Sequence, residues 1–425
     1  SKDYIKSQID KSLILGKKDE FNQAVEILQK TLEYQKSLSS SERKPELSAE
    51  IKRALAVAYR GQGAYTEAIK WFSDAQKGFL EINDQNGYHD ALWGMGILRY
   101  LTGEWKKAIK IWKELLKFFE TQPDTPIKGR KPASLLRISI LAEYARTLQL
   151  SGKFKEAERI MKKALTLAQR SEYEYSDWSR INIHLLFSDL YYQQRDYEKA
   201  SKAITKARRI NAEIKSQQKE GYDELRILKS EIIVLLALNK AEVARNKLLD
   251  QKSNLNSNWE HANYYRLLGL IEKHEMNYGL AKQAFHASLA KTKEMGASAL
   301  TDEFMYVELL VEMSKTGNKQ AFAEAESLLK KLETEVTEKK LMAFILECNL
   351  LKANLARIHS NFDKAYQLYS EVIRDADIYH LYRQKTKALE NLGLIEQEGQ
   401  QLSSTRELSV YRYLEDARRI LEGNS

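Results

Sequence analysis

Residues 54–72 read ALAVAYRGQGAYTEAIKWF, and this stretch decides the fold. Its polar centre at positions 61–63 separates two runs of helix-forming residues. In the second run, Tyr65 is followed by Ala68 and then Phe72, at offsets of three and four residues. These offsets place the three side chains on one face of a helix. The stretch therefore predicts a helix, a tight turn and a second helix.

The same pattern of an aromatic or apolar residue, an alanine and a large apolar residue recurs along the chain. Its mean interval is about 43 residues, which indicates a repeat architecture. Alanine is the best helix former and adds no bulk, so a paired helix can approach it closely. We predict nine helix pairs followed by two terminal helices that cap the end over residues 376–425. The repeats are centred near Ala24, Ala68, Ala108, Ala157, Ala200, Ala244, Ala281, Ala325 and Ala365.

Two stretches resemble the tetratricopeptide repeat. Residues 54–72 do so through Ala56, Tyr59, Gly63, Tyr65, Ala68 and Phe72, and residues 91–112 through Gly96, Gly103, Trp105, Ala108 and Trp112. The interval exceeds the usual 34 residues of the family. It resembles the long-repeat variety found in kinesin light chains, maltose-regulon-type activators and Rap-type regulators. The resemblance implies an all-α, right-handed superhelical solenoid that spans residues 1–425 as a single domain.

The composition agrees with a helical chain. Only 18 Gly and 4 Pro occur in 425 residues, whereas sheet folds need many turns built from these residues. The single cysteine, Cys348, excludes intrachain disulfides and fits a reducing compartment. The longest apolar run, 232–238, is too short to span a membrane, and the start lacks a signal peptide. We therefore predict a cytoplasmic protein without a membrane segment.

Motifs that carry chemistry are absent from the sequence. The seven histidines form no HExxH pattern, and neither GxxxxGK[ST] nor GxSxG occurs. The glycine pairs at 61/63 and 94/96 occupy turn and helix-packing positions of the repeat and not a phosphate loop. We expect no enzymatic activity, no cofactor and no metal site.

The resemblance also implies where a partner binds, because in this family the first helix of each unit lines the concave surface. At these inner positions basic residues outnumber acidic ones, and aromatic and amide side chains lie among them. Arginine forks grip carboxylates, aromatic rings anchor apolar groups, and amides hold a peptide backbone. The predicted partner-binding residues are Arg53, Arg60, Trp93, Tyr100, Arg146, Gln149, Asn182, Tyr192, Arg226, Lys229, Asn263, Arg266, Lys273, Asn354 and Arg357.

These positions favour a non-catalytic scaffold or sensor whose groove holds an acidic peptide or protein segment. One alternative is the ligand-sensing region of a larger signalling or transcriptional regulator, since the chain begins with Ser1 and not with methionine. A second alternative is RNA or DNA binding, suggested by the net charge of +9 and by basic runs at 128–131 and 206–209. Acidic residues mixed throughout argue against that alternative. The sequence predicts neither the identity of the partner nor the oligomeric state.

Overall fold

A computed structural model describes residues 2–18, 20–124, 132–173, 176–217, 224–379, 381–397 and 415–420. Within these ranges the chain is helical and contains no strand. No helix in them combines the length and the apolar character that a membrane span requires. Nine helix pairs follow one another, each packed against the next.

The first helices of the pairs are α1 (Lys2–Lys17), α3 (Pro45–Gly61), α5 (Gln85–Leu101), α7 (Ala133–Leu150), α9 (Ser176–Gln193), α11 (Glu224–Ala237), α13 (Asn258–His274), α15 (Leu300–Lys315) and α17 (Met342–Ile358). The second helices are α2 (Phe21–Ser37), α4 (Tyr65–Glu81), α6 (Trp105–Glu120), α8 (Phe154–Arg170), α10 (Tyr197–Ser216), α12 (Ala241–Leu249), α14 (Tyr278–Glu294), α16 (Lys319–Glu338) and α18 (Phe362–Tyr379). A further helix, α19 (Tyr382–Gln397), follows the ninth pair.

The repeat pattern in the sequence marks the second helix of each pair. For example, α4 begins at Tyr65 and α8 at Phe154, the aromatic residues that open the pattern. All nine central alanines are buried, with at most 1% of their surface exposed. The predicted all-α architecture of nine helix pairs is therefore confirmed.

Glycines allow the closest helix contacts. A Cβ atom added to Gly94 on α5 would lie 2.2 Å from the ring of Phe72 on α4. One added to Gly96 would lie 2.7 Å from the ring of Trp112 on α6. These two glycines therefore admit the large side chains of the preceding and following helices, as their helix-packing interpretation predicts.

Each turn between the helices of pairs two to nine contains one residue in the left-handed backbone region, as helix C-terminal turns commonly do. Glycine occupies four of these turns, and larger residues occupy the other four at the cost of some strain. In chain order the residues are Gly63, Gly103, Gly152, Arg195, Asn239, Met276, Gly317 and Ser360, with φ between 57° and 82°.

The sixth repeat, which has Ala241 in place of an aromatic residue, is also the least regular in the structure. Helix α12 has nine residues and ends in a short 3-10 helix over Lys252–Asn254. Of the two terminal helices predicted within residues 376–425, the first is present as α19, and residues 415–420 are helical. The basic run at 128–131 lies outside the described residues.

Turns of early units touch late units of the same chain. A Cβ on Gly63 would lie 2.4 Å from Cβ of Ser298, and one on Gly103 would lie 3.3 Å from Cβ of Ala343. Trp105, at the start of α6, belongs to a buried cluster with Leu346, Ala376 and Leu381. The solenoid therefore closes on itself, and turns of its units two to four lie against units seven to nine and the start of α19. We call this contact region the seam.

The seam can be tested with two glycines that share a backbone conformation. Gly63 and Gly317 both have positive φ, of 76° and 82°, but no atom lies within 4 Å of a Cβ built on Gly317. We expect Gly317→Ala to lose about 1–2 kcal/mol of unfolding free energy through backbone strain alone. Gly63→Ala should lose about 1 kcal/mol more, because its methyl group overlaps Ser298. Equal losses in urea unfolding would show that the seam does not form.

Candidate partner-binding channel

The first helices α3, α5, α7, α9, α11, α13, α15 and α17, together with α19, enclose an inner space that we call the channel. Side chains from several of these helices meet there. The phenol of Tyr100 on α5 lies within electrostatic reach of Arg146, Asp189 and Arg383, which belong to α7, α9 and α19. Burial is the main reason that the pKa of Tyr100 is raised. Helices far apart in sequence therefore share one inner surface.

Asp189 lies at the centre of the channel. Its side chain is exposed to solvent, yet protein atoms surround it on most sides, as expected on the inner wall of a closed superhelix. This partial desolvation raises the pKa of the carboxyl group, whereas Arg146, Lys229 and Arg383 act in the opposite direction. Three cations from three helices thus surround a single carboxylate.

Lys229 is the clearest available cation among the predicted residues. It is exposed on α11 and forms no ion pair with any residue that the structure describes. Burial within the channel lowers the pKa of its amine, and the positive charges of Arg266, Arg226 and Arg146 lower it further. Asp189 only partly offsets them. The channel therefore carries more positive than negative charge around Lys229.

Arg383 on α19 is a channel residue that the sequence analysis missed. Its guanidinium is exposed and has no ion-pair partner within the described ranges, while its charge reaches Tyr192 and Glu308. The sequence predicted a helix here. The repeat pattern ends before it, however, so no inner position could be assigned.

Arg266 is not a free cation of the channel. Its Nε and Nη2 atoms donate to Oδ1 and Oδ2 of Asp302, both at 2.9 Å. The Asp302 carboxylate is fully buried and also accepts from Ser288 Oγ at 2.5 Å and Thr292 Oγ1 at 2.8 Å. The fork of Arg266 thus joins the seventh unit to the eighth.

Other predicted residues also have partners within the solenoid. Lys273 forms an ion pair with Glu308, with Nζ 3.3 Å from Oε2. The amide of Asn263 donates to the carbonyl of Trp259 at 2.8 Å. These side chains shape the wall, and their charges and amides are already in use.

Two more predicted residues are engaged on α7 and α17. Arg146 lies 3.4 Å from Oε2 of Glu143, one turn earlier on α7. Asn354 accepts a hydrogen bond from the hydroxyl of Tyr369 at 2.5 Å. Both residues therefore have a polar atom that is already engaged within the solenoid.

The remaining predicted residues differ in how much of their surface is exposed. Arg357 and Gln149 are buried, with 9% and 3% of their surface exposed. Arg60 is half-buried, and burial lowers the pKa of its guanidinium despite the opposing effect of Glu143. Tyr192 and Arg226 are exposed. Half-buried side chains complete the set: Arg53, Trp93 and Asn182.

A cavity of about 330 Å³ opens where α7, α9 and α19 come together. Gln149 and Tyr192 line it from the first part of the chain, and Tyr382 and Arg383 line it from α19. A Cβ on Gly152 would lie 2.9 Å from the ring of Tyr382, so the cavity belongs to the seam. The seam thus holds a pocket that is lined by residues from both parts of the chain.

The described residues offer few reactive groups. None of their histidine, cysteine and carboxylate side chains form a group of three that could hold a metal ion. Cys348 is buried, and burial raises the pKa of its thiol to about 12, so the thiol stays protonated. The arrangement is suited to binding charged groups and not to nucleophilic attack by this thiol.

No protein-family model matches the chain, and no curated protein is significantly similar. A Rap protein complexed with competence and sporulation factor aligns over 100% of both chains, with 11% identity and a TM-score of 0.54. A tetratricopeptide repeat protein from Parabacteroides merdae covers 72% of this chain and 98% of its own, with 15% identity and a TM-score of 0.43. The apo form of RapI covers 99% and 98%, with 13% identity and a TM-score of 0.39. The similarity to the Rap protein complexed with competence and sporulation factor shows that the chain has the fold of tetratricopeptide-type helical solenoids.

Proposed function

We propose that this chain is a non-catalytic scaffold or sensor that holds an acidic peptide or protein segment in its channel. The observation that carries the proposal is Lys229, an exposed cation without an ion-pair partner among the described residues; burial within the channel lowers its pKa, and neighbouring arginines lower it further. An acidic ligand would relieve this repulsion and gain charge-assisted hydrogen bonds. The proposal includes a cytoplasmic location, as the sequence predicted.

The sensor region of a larger regulator is the second candidate, and it uses the same channel. The Rap protein that shares the fold was solved in complex with competence and sporulation factor, which supports a bound partner for this solenoid. Contacts across the seam, such as that of Gly63 with Ser298, would change if a ligand altered the superhelical pitch. Nucleic acid is less favoured, because Asp189 and Glu308 in the channel would repel phosphates.

Selection from a random peptide library tests the proposal directly. Peptides selected by the wild-type chain should be enriched in Asp and Glu, and their affinity should fall as the salt concentration rises. Lys229→Glu should weaken a selected acidic peptide by about tenfold or more, the equivalent of one charged contact. Reversing this charge should not harm folding, because the substituted carboxylate would face Arg226 and Arg146.

Lys113→Glu is the matched control, since Lys113 is an exposed lysine on the second helix α6 and away from the first helices that line the channel. It should leave peptide affinity within about twofold of the wild type. Circular dichroism melting should confirm that both variants fold. Selected peptides without acidic enrichment, or equal weakening by the two substitutions, would contradict an acidic ligand in the channel.

A further inference from the structure

The cavity between α7, α9 and α19 has features of a specific binding site, in addition to those of the channel as a whole. Its volume of about 330 Å³ is at the lower end of the range of ligand sites. This volume suits one or two amino-acid residues better than a whole folded segment. Its wall combines aromatic rings with a few polar groups, the usual composition of a specific site.

Arg383 supplies the charge of the cavity. The other charged side chains in its wall are already engaged, because Arg195 pairs with Glu390, and Lys387 Nζ lies 2.6 Å from Oε1 of Glu347. Arg383 has no ion-pair partner among the described residues. Its planar fork can hold a carboxylate with two parallel hydrogen bonds. The cavity is therefore prepared for one anionic group.

Gln149 supplies an unused acceptor in the same wall. Only 3% of this side chain is exposed, and its Oε1 atom accepts no hydrogen bond from the described residues. A buried acceptor without a donor costs about 1–3 kcal/mol, and that cost is recovered when a ligand supplies an N–H group. The ligand should thus carry a donor close to its anionic group.

The aromatic rings of Tyr192, Tyr382 and Phe154 complete the wall with apolar surface. A carboxylate, an adjacent N–H donor and an apolar side chain occur together at the C-terminal residue of a peptide. An internal Asp or Glu has the carboxylate on its side chain and so lacks the apolar group.

We infer that this cavity binds the free C-terminal carboxylate of a peptide whose last residue is apolar. Arg383 holds the carboxylate, Gln149 accepts from the last peptide N–H, and the rings contact the last side chain. The inference rests on the proposed function, and it adds that the acidic segment in the channel has its C-terminus at this cavity. The ligand also bridges the seam, since Gln149 and Arg383 come from opposite sides of it.

The test uses a selected acidic peptide as free acid and as C-terminal amide, measured with the full chain by fluorescence anisotropy. Amidation should weaken binding to the wild type by about tenfold, the value of one charge-assisted contact. In Arg383→Gln, amidation should change affinity by less than about twofold, because the partner of the carboxylate is gone. Arg209→Gln, on an exposed arginine of α10, should retain the full effect of amidation.

Gln149→Met gives a second measurement, and its expected result differs from the result expected if Gln149 had only a structural role. Methionine has a similar shape and removes the unused acceptor. The melting temperature of the free chain should therefore not fall, whereas peptide affinity should drop about three- to tenfold. A lower melting temperature with unchanged affinity would overturn the role of Gln149.

The outcomes separate this inference from the proposed function. Equal binding of acid and amide to the wild type, with binding still weakened by Lys229→Glu, would overturn the cavity assignment and leave the channel proposal intact. The same amidation effect in the wild type and in Arg383→Gln would also overturn it. A library from which the wild-type chain selects no binding peptide would overturn both.

Discussion

Replacing Asp302 by alanine is expected to lower the free energy of unfolding by about 3–5 kcal/mol, the usual cost of breaking a buried ion pair from one side. Asp302 on α15 is fully buried and accepts hydrogen bonds from Arg266, Ser288 and Thr292. Alanine would leave the guanidinium of Arg266 uncompensated and the buried hydroxyl of Thr292 without its acceptor, whereas Ser288 keeps the carbonyl of Ala262 as an acceptor. Because the donors lie on α13 and α14, the loss should loosen the junction between units seven and eight.

Asp177→Ala is the matched control for this prediction. Asp177 also pairs with an arginine, Arg180, at 2.7 Å, but its side chain is 39% exposed. Solvent screens such a pair, so its removal should cost about 1 kcal/mol or less. Urea unfolding followed by circular dichroism gives both losses, and hydrogen exchange shows whether α13–α15 open first. Similar losses for the two variants would show that Asp302 does not organise this junction.

The sequence predicted the helix pairs because their pattern is local. Tyr65, Ala68 and Phe72 lie within one helix, and their offsets depend only on helix geometry. The sequence also predicted two terminal helices within residues 376–425, where α19 is found. The inner positions followed from the resemblance and not from packing. For this reason both Lys229, which is exposed, and Arg266, which is paired with Asp302, were predicted to bind a partner.

The seam could not be predicted in the same way. Gly63 and Ser298 are distant in sequence, and their meeting depends on small rotations between successive units that add up around the superhelix. No residue pattern within one repeat encodes that sum. The cavity and the role of Arg383 depend on the seam, so the sequence carried no signal for either.

Ser288 shows how a departure from the repeat pattern can mark a site of tertiary contact. The equivalent position in α8 is Ala164, and both residues are fully buried. A buried hydroxyl needs partners, and here the carbonyl of Ala262 lies 2.9 Å away and the carboxylate of Asp302, on the next unit, lies 2.5 Å away. Sequence alone suggests that such a polar residue needs a partner, but the partner lies on a different helix.

Acidification is expected to destabilise the chain through His184 on α9. This histidine is buried, with 8% of its surface exposed, and burial lowers its pKa from 6.5 to about 4. The positive charges of Lys206 and Arg180 contribute in the same direction. Between these two pKa values the unfolded chain binds a proton that the folded chain excludes. Stability should therefore be unaffected by this group above pH 6.5 and fall as the pH decreases towards 4.

The loss attributable to His184 should reach about 2–3 kcal/mol at pH 4, since each unit of pKa difference corresponds to about 1.4 kcal/mol. Leucine at this position cannot titrate, so His184→Leu should reduce the fall in unfolding free energy between pH 7 and pH 4 by that amount. His274→Leu serves as the control for the loss of one histidine, because His274 is exposed at the end of α13. Carboxylates that titrate in the same range contribute equally to all three chains, so the difference between the curves isolates the histidine. Parallel curves for the wild type and His184→Leu would mean that His184 accepts its proton in the folded chain.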